Sequence, residues 1–283
     1  MKILGINCMN HDASMSVVDY SSGIGEVLWA AHAERYSKVK NDHYLNWHIV
    51  NEAMTYGPFD KVVYYEKPWL KKTRQLYAGQ WADAFSYTEM PQWHLDHFKI
   101  KIDEYVKHHD SHAAAGYFTS PFREATILTV DAIGEWDTVS ISTADKVWIE
   151  RKETIKYPHS IGILYSAFTH RCGLKPAEEE YILMGMAAYG EPKYKEDIYN
   201  DFVHQSPFKL KKNLHRGLSE WHPEADPMDL AASIQAVTEE CLADLWHRAS
   251  KYGSRNLVYA GGVALNCAAN KVLANLGLFD NIW

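Results

Sequence analysis

The chain has 283 residues, enough for one large domain or two lobes with cores of their own. Apolar residues make up 47% and charged residues 23%, an ordinary globular balance, and no apolar run approaches the ~20 residues that span a bilayer. The formal net charge of −7 argues against a grip on nucleic acid, which needs a basic footprint.

The Lys-rich stretch Lys209 to Lys212 is short and reads as a solvated face. The opening residues, Met1 to Ile6, read as a strand without the apolar run and cleavage site of a secretion signal. The expected location is therefore the cytoplasm, with no membrane partner. Cys8, Cys172, Cys241 and Cys267 are scattered, and no C-x-x-C pair suggests a disulfide framework or a thiolate zinc site. Their expected role is that of small buried hydrophobes.

In chain order, Ile3 to Asn7 reads as a buried strand, followed by the polar turn Asn10 to Ser14. Met15 to Tyr20 and Glu26 to His32 read as strands separated by the Gly/Ser turn Ser21 to Gly25. Trp47 to Tyr56 reads as a helix and Lys61 to Tyr65 as a short strand. Leu70 to Asp96, rich in Trp, Tyr and Gln, fits neither period and reads as an insertion of the same domain. Ile127 to Val130 is strand-like, ends at Asp131, turns through Ala132 to Gly134 and resumes at Thr138 to Ser142. This strand, polar turn and strand repeats the opening pattern and suggests two related halves. Asp226-Pro227 starts a helix whose Leu230, Ile234, Val237, Cys241 and Leu245 share one face, and Gly253 closes it. Asn256 to Ala260 is a strand, Gly261-Gly262 a turn, and Val263 to Leu276 reads as a helix.

The sharpest chemical motif is His108-His109-Asp110-Ser111-His112, followed by three alanines. The alanines favour a helix, and residues four apart on a helix share a face. His108 and His112 would then offer two imidazoles to one ion, with His109 off that face. Asp131, at the end of a buried strand, supplies a carboxylate from a rigid element. Two His and one carboxylate suit iron(II) or zinc used as a Lewis acid. The bland alternatives are a His-rich surface turn and an aspartate that bonds its own backbone. Gly261 and Gly262 allow backbone amides to approach a phosphate at a helix start, although a glycine pair also simply makes a turn. His11 in the first turn could carry a proton or donate to a phosphate; the alternative is that Asp12 shapes the turn and His11 is a bystander.

Together these residues resemble the NodU/CmcH-type O-carbamoyltransferases. The resemblance runs in ordered blocks through nearly the whole chain. It includes Ile3 to Ile6 with His11 to Ser14, Glu34 to Ser37, Tyr64 to Pro68, His108 to Ala114 and Val130 to Thr138. It continues through Ser160 to Thr169, Met184 to Pro192, Ala231 to Glu239 and Gly261 to Cys267.

The resemblance implies an α/β, actin-like (ASKHA, ribonuclease H-like) fold of two lobes. The expected lobes are 1–125, including the His-x3-His helix and the aromatic insertion, and 126–283, incomplete at its end. It implies transfer of a carbamoyl group from carbamoyl adenylate, made from carbamoyl phosphate and ATP, to a hydroxyl of a small acceptor. His108, His112 and Asp131 would hold an iron or zinc ion at the nucleotide phosphate. Asp12, Gly134, Gly261, Gly262 and Asn266 would lie at the nucleotide, and His11 would help deprotonate the acceptor.

Three departures from the family pattern stand out. Ile182 and Leu183 occupy the place of a frequent Lys, and Ala132 that of a frequent Gly. The third is length: the family's last metal carboxylate and its YrdC-like, adenylate-forming domain lie beyond Trp283, so a partner chain or domain is expected. The other readings are a tRNA threonylcarbamoyl transferase-like subunit and a non-catalytic nucleotide-binding scaffold. The negative charge leans away from tRNA.

Overall fold

The computed structural model describes residues 1–283 except Gln205, Arg216 and Ser219. The chain divides into two compact units, 1–111 and 112–283.

The first unit is built on β1 (Lys2–Asn7), β2 (Ser14–Asp19), β3 (Glu26–His32), β4 (Lys61–Tyr64) and β5 (Glu104–Tyr105), in the order β3-β2-β1-β4-β5. The β1–β2 and β2–β3 pairs are antiparallel, and β1–β4 and β4–β5 are parallel. Its helices are α1 (Glu34–Ser37), α2 (Trp47–Met54), α3 (Pro68–Tyr77), α4 (Trp81–Phe85) and α5 (Pro91–Asp96). Asn46 starts α2 by accepting hydrogen bonds from the amides of His48 and Ile49. The buried face of α2, Ile49, Val50 and Ala53, joins Leu4, Ile6, Met15 and Val17 of the sheet in the core of this unit.

The second unit begins within α6 (His108–Thr119). It continues with β6 (Glu124–Val130), β7 (Asp137–Asp145), β8 (Trp148–Lys156), α7 (Ile161–Arg171), α8 (Glu180–Met186), α9 (Lys195–Phe202), β9 (Val203–His204) and β10 (Lys209–Leu210). Then come α10 (Pro227–Ser250), β11 (Asn256–Ala260), α11 (Cys267–Ala274) and β12 (Asn281–Ile282). The large sheet has the order β12-β11-β6-β7-β8, while β9 and β10 form a separate hairpin. Again the first three strands pair antiparallel and the other two join in parallel. Read from the antiparallel edge, β8-β7-β6-β11-β12 repeats β3-β2-β1-β4-β5. The repetition suggested by two sequence turns therefore extends over whole sheets.

Strand β6 is buried at six consecutive positions, Ala125 to Val130, as a central strand covered on both faces must be. Strand β8 alternates exposed and half-buried residues, as an edge strand does. Asp226 caps α10 with Pro227 in its first turn, and the expected apolar stripe is buried.

Two expectations are refined. Helix α6 packs with residues of the second unit: Ala113 and Tyr117 cluster with Ala125, Ile127 and Val258, and a Cβ on Gly116 would stand 2.6 Å from the Val258 side chain. The division therefore falls at 111/112 instead of 125/126. The helix expected over Val263 to Leu276 is interrupted. Residues Gly262–Leu265 form a 3-10 turn, and Asn266 caps a separate α11 through the Ala269 amide.

Candidate metal and nucleotide site

Helix α6 carries His108 and His112 four residues apart, so its own pitch sets their rings on one face. His108 is 7% exposed, and its ring meets Tyr65 edge-on at 5.3 Å between centroids. His109 is fully buried, on a different face, in keeping with a structural role. Among the described residues, His108, His112 and Asp131 each offer a ligand atom within 4.8 Å of the others.

Asp131 follows the last residue of β6. Its amide donates to the Thr138 carbonyl at 2.9 Å, closing the β6–β7 turn. Its two carboxylate oxygens have different surroundings. Oδ1 accepts from the Ala132 amide at 2.8 Å and from the Gly262 amide at 3.3 Å. Oδ2 lies 3.4 Å from His112 Nε2. The self-bonding turn aspartate and the ligand-like aspartate are thus the same residue, acting through different oxygens. A first-row metal with bonds of about 2.1 Å sets neighbouring donors roughly 3.0–3.4 Å apart. The His112–Asp131 distance is in that range, and two imidazoles and a carboxylate within 4.8 Å of one another are a donor set that suits a divalent ion of the iron or zinc kind.

Sequence reasoning missed what holds Asp131 in place. Ser160 caps α7 by accepting from the Ile163 amide at 3.0 Å, and its hydroxyl donates to the Ala132 carbonyl at 2.6 Å. Next to it, a Cβ on Gly162 would stand 2.5 Å from the Ala132 Cα. Ala132 thus lies against a glycine of α7. The available signal was a Ser three residues before Ile163 at the start of an apolar helix.

Gly261 has φ +96°, and a Cβ there would stand 2.3 Å from the Val130 carbonyl oxygen. The end of β11 therefore passes against the end of β6 at a distance that only glycine permits. Gly262 follows, with its amide on Asp131. This turn and Asp131 are joined within the second unit, with Asn266 at the far end of the turn. Gly134 sits in the same β6–β7 turn as Asp131, but it is buried and its amide is committed to the Asp137 carbonyl. Leu183, next to the Met184-Gly185 pair, is fully buried.

In the first unit, His11 and Asp12 occupy the β1–β2 turn. His11 Nδ1 and Asp12 Oδ2 are 2.8 Å apart, and Asp12 adopts φ +56°. Asn7 Nδ2 donates to the Asp12 carbonyl at 2.8 Å and fixes the turn. The Asp12 carboxylate orients the imidazole, leaving Nε2 as its outward nitrogen.

The cysteines divide. Cys8 and Cys241 are buried, and desolvation pushes each thiol up to about 12. Burial also raises Cys172, to about 11. Cys267, at the start of α11, is exposed, contrary to the expectation of four buried thiols. Its Sγ lies 3.8 Å from Met184 Sδ.

Residues 2–283 match the family model described as Carbamoyltransferase N-terminus. Uncharacterized protein sll1178 of Synechocystis sp. is 33% identical over 99% of this chain and 54% of its own length. Nodulation protein NolNO of Sinorhizobium fredii is 28% identical over 92% of this chain and 42% of its own. The chain thus spans about half the length of these curated relatives. Among solved structures, T. kodakarensis HypF aligns with a TM-score of 0.53 at 14% identity, over 99% of this chain and 45% of that one. Component A of (R)-2-hydroxyglutaryl-CoA dehydratase from Acidaminococcus fermentans aligns with a TM-score of 0.51 at 12% identity, over 100% of this chain and 91% of that one. The likeness shows the fold, which is actin-like. Among the described residues, no helix is long and apolar enough to cross a membrane.

Proposed function

Because the chain belongs to the carbamoyltransferase N-terminus family, we propose that it is the acceptor-side part of an O-carbamoyltransferase. In this reading it binds carbamoyl adenylate, made from carbamoyl phosphate and ATP, and passes the carbamoyl group to a hydroxyl of a small sugar-like or natural-product acceptor. The observation that carries the reading is the continuity of the His108, His112 and Asp131 cluster with the Gly261-Gly262 turn through Asp131 Oδ1.

A metal ion in that cluster would supply Lewis-acid stabilisation of a phosphate oxygen. The chain's own residues would do the rest. Gly261 and Gly262 let the backbone approach a phosphate closely, and Asn266 lies beside them. The acceptor oxygen attacks the carbamoyl carbon, the carbon–oxygen bond to phosphate breaks, and AMP leaves with the electron pair. The hydroxyl proton goes to a base, and the His11 imidazole held by Asp12 has the chemistry for that role. The adenylate would come from a YrdC-like domain or subunit.

The test has two parts. Elemental analysis and nucleotide titration separate this reading from a scaffold, which need bind neither ligand. An assay with carbamoyl phosphate, ATP and a hydroxyl acceptor, with and without an added YrdC-like protein, should give turnover only with the addition. Full turnover by the chain alone would remove the need for a partner, and tight tRNA binding in a shift assay would favour threonylcarbamoyl chemistry instead.

A further inference from the structure

The β1–β2 turn that carries His11 and Asp12 is held from outside its own hairpin. The Met9 amide donates to the His43 carbonyl at 2.8 Å, and the Ala13 amide to the Asp42 carbonyl at 2.7 Å. The two flanks of the turn thus hang on adjacent carbonyls of the loop between α1 and α2. Two residues further on, the Leu45 amide donates to Nε2 of His94, on α5, at 3.2 Å. Tyr44 sets its ring against the same imidazole, with 5.5 Å between centroids. All of these residues belong to the first unit.

An N–H donates only to an unprotonated ring nitrogen, so His94 is neutral here, with its hydrogen on Nδ1. A proton on Nε2 would set two donors face to face. Leu45 is 3% exposed, so its amide would have little water to replace the lost acceptor. The surroundings of the ring favour the neutral form. Burial pulls His94 below the ordinary histidine range, neighbouring His97 pulls the same way, and Asp42 of the loop opposes both more weakly. The other rings facing it, Tyr44 and Phe98, bring neither a carboxylate nor a cation. Asp96 of the same helix is engaged by Gln92 Nε2 at 2.7 Å. The Leu45 bond is therefore complete near neutrality and is lost as pH falls through the lowered value of the folded state.

We propose that His94 is a positioning residue for His11: as a neutral acceptor it latches the loop that brackets the His11-Asp12 turn, and on protonation it releases that turn. This rests on the functional reading above, in which the His11 imidazole takes the proton of the acceptor hydroxyl. A base works only in its unprotonated form and only where its nitrogen meets the hydroxyl. Acid then disables His11 by two routes, its own protonation and the loss of its support at His94. A merely structural contact would stabilise α5 and leave the His11 ring insensitive to residue 94.

The test uses the full chain and NMR. His94→Gln offers an Oε1 that accepts an amide hydrogen at every pH, and His94→Phe keeps a ring without an acceptor. Between pH 7.5 and pH 4.5 the exchange protection of the Met9, Ala13 and Leu45 amides should fall about fivefold in the parent chain, hold within about twofold in H94Q, and be low at both ends in H94F. The His11 ring signals should titrate in two steps in the parent chain, one of them coinciding with the His94 step, and in a single step in H94Q. With a YrdC-like protein added, the acid limb of the transfer rate should be steeper in the parent chain than in H94Q. Circular dichroism checks that each variant is folded. Equal protection in the parent chain, H94Q and folded H94F, with a single His11 step in all, overturns the latch and leaves the functional reading standing. Full transfer by His11→Asn overturns the reading of His11 as the base, and the positioning role falls with it.

Discussion

Asp131 concentrates several demands on one side chain. Its Oδ1 ties the β6–β7 turn to Gly262, and its Oδ2 faces His112. The two functions separate by substitution. Asp131→Asn keeps an oxygen for the backbone amides while removing the charge, so the fold should persist while zinc or iron affinity falls more than about tenfold. His108→Ala should act likewise, and elemental analysis of the purified variants reads both. A second residue-scale prediction concerns thiols. Cys8, Cys172 and Cys241 are held as neutral thiols by burial, whereas Cys267 is exposed. At pH 8 a thiol reagent should label Cys267 first, with Cys8 and Cys241 reacting only on denaturation. Equal rates at all four would contradict the burial pattern. The His-x3-His pair and Asp131 were legible because spacing and strand ends are properties of sequence. Ser160 and Gly162 were not, because their importance lies in which distant backbone they meet. Gln235, whose partners are the side chains of Tyr165, Glu239 and Asn266, left only a faint trace, a polar residue directly after Ile234 within an apolar stretch.

At the scale of elements, the end of β11 is the tightest point. Alanine at Gly261 meets both a positive φ and the Val130 carbonyl. The conformation alone costs about 1–3 kcal/mol, so Gly261→Ala should lower the melting midpoint, whereas alanine at Gly79, with open space around it, should pay only the conformational part. A thermal melt of the two variants makes the comparison. The strands and α10 were readable from period and caps. The run after Gly262 was read as one helix because Val263, Ala264 and Leu265 are compatible with a helix, and only the tertiary role of Asn266 separates the 3-10 turn from α11. The aromatic stretch went unread for another reason. Its aromatic residues follow no period because several of them are not core: Tyr77, Trp81, Phe85 and Tyr87 are 70%, 62%, 74% and 69% exposed. Short helices held by Pro68, by Pro91 and by Lys72 on the Asp83 and Ser86 carbonyls need no buried stripe to be defined. A hydrophobic period cannot announce them.

Across the whole of the second unit, its edge strand is fastened to its long helix by charge. Glu153 of β8 takes hydrogen bonds from Arg248 and, at 2.8 Å, from Tyr252 near the end of α10. Burial pulls the Glu153 carboxyl upward, but those hydrogen bonds and the Arg248 charge outweigh it and hold it below its ordinary value. A depressed carboxylate contributes stability above the unfolded pKa, and that contribution is lost as pH falls through the lower, folded value. Parent protein should therefore lose stability on acidification relative to Arg248→Ala, which lacks the link and should be weaker by about 1 kcal/mol near neutrality. Denaturant melts from pH 7 to pH 3 should show the two curves converging. The repeated strand order has a consequence of its own. Each half of the chain places ionisable side chains at its first hairpin bend, His11 with Asp12 in one and Asp131 in the other. A duplicated ancestor would have offered the same bend twice, free of the ladder that fixes the strands on either side. On the proposed function, one copy could then drift toward proton chemistry and its twin toward cation chemistry, a division of labour reached by editing two short connections while both sheets stayed as they were.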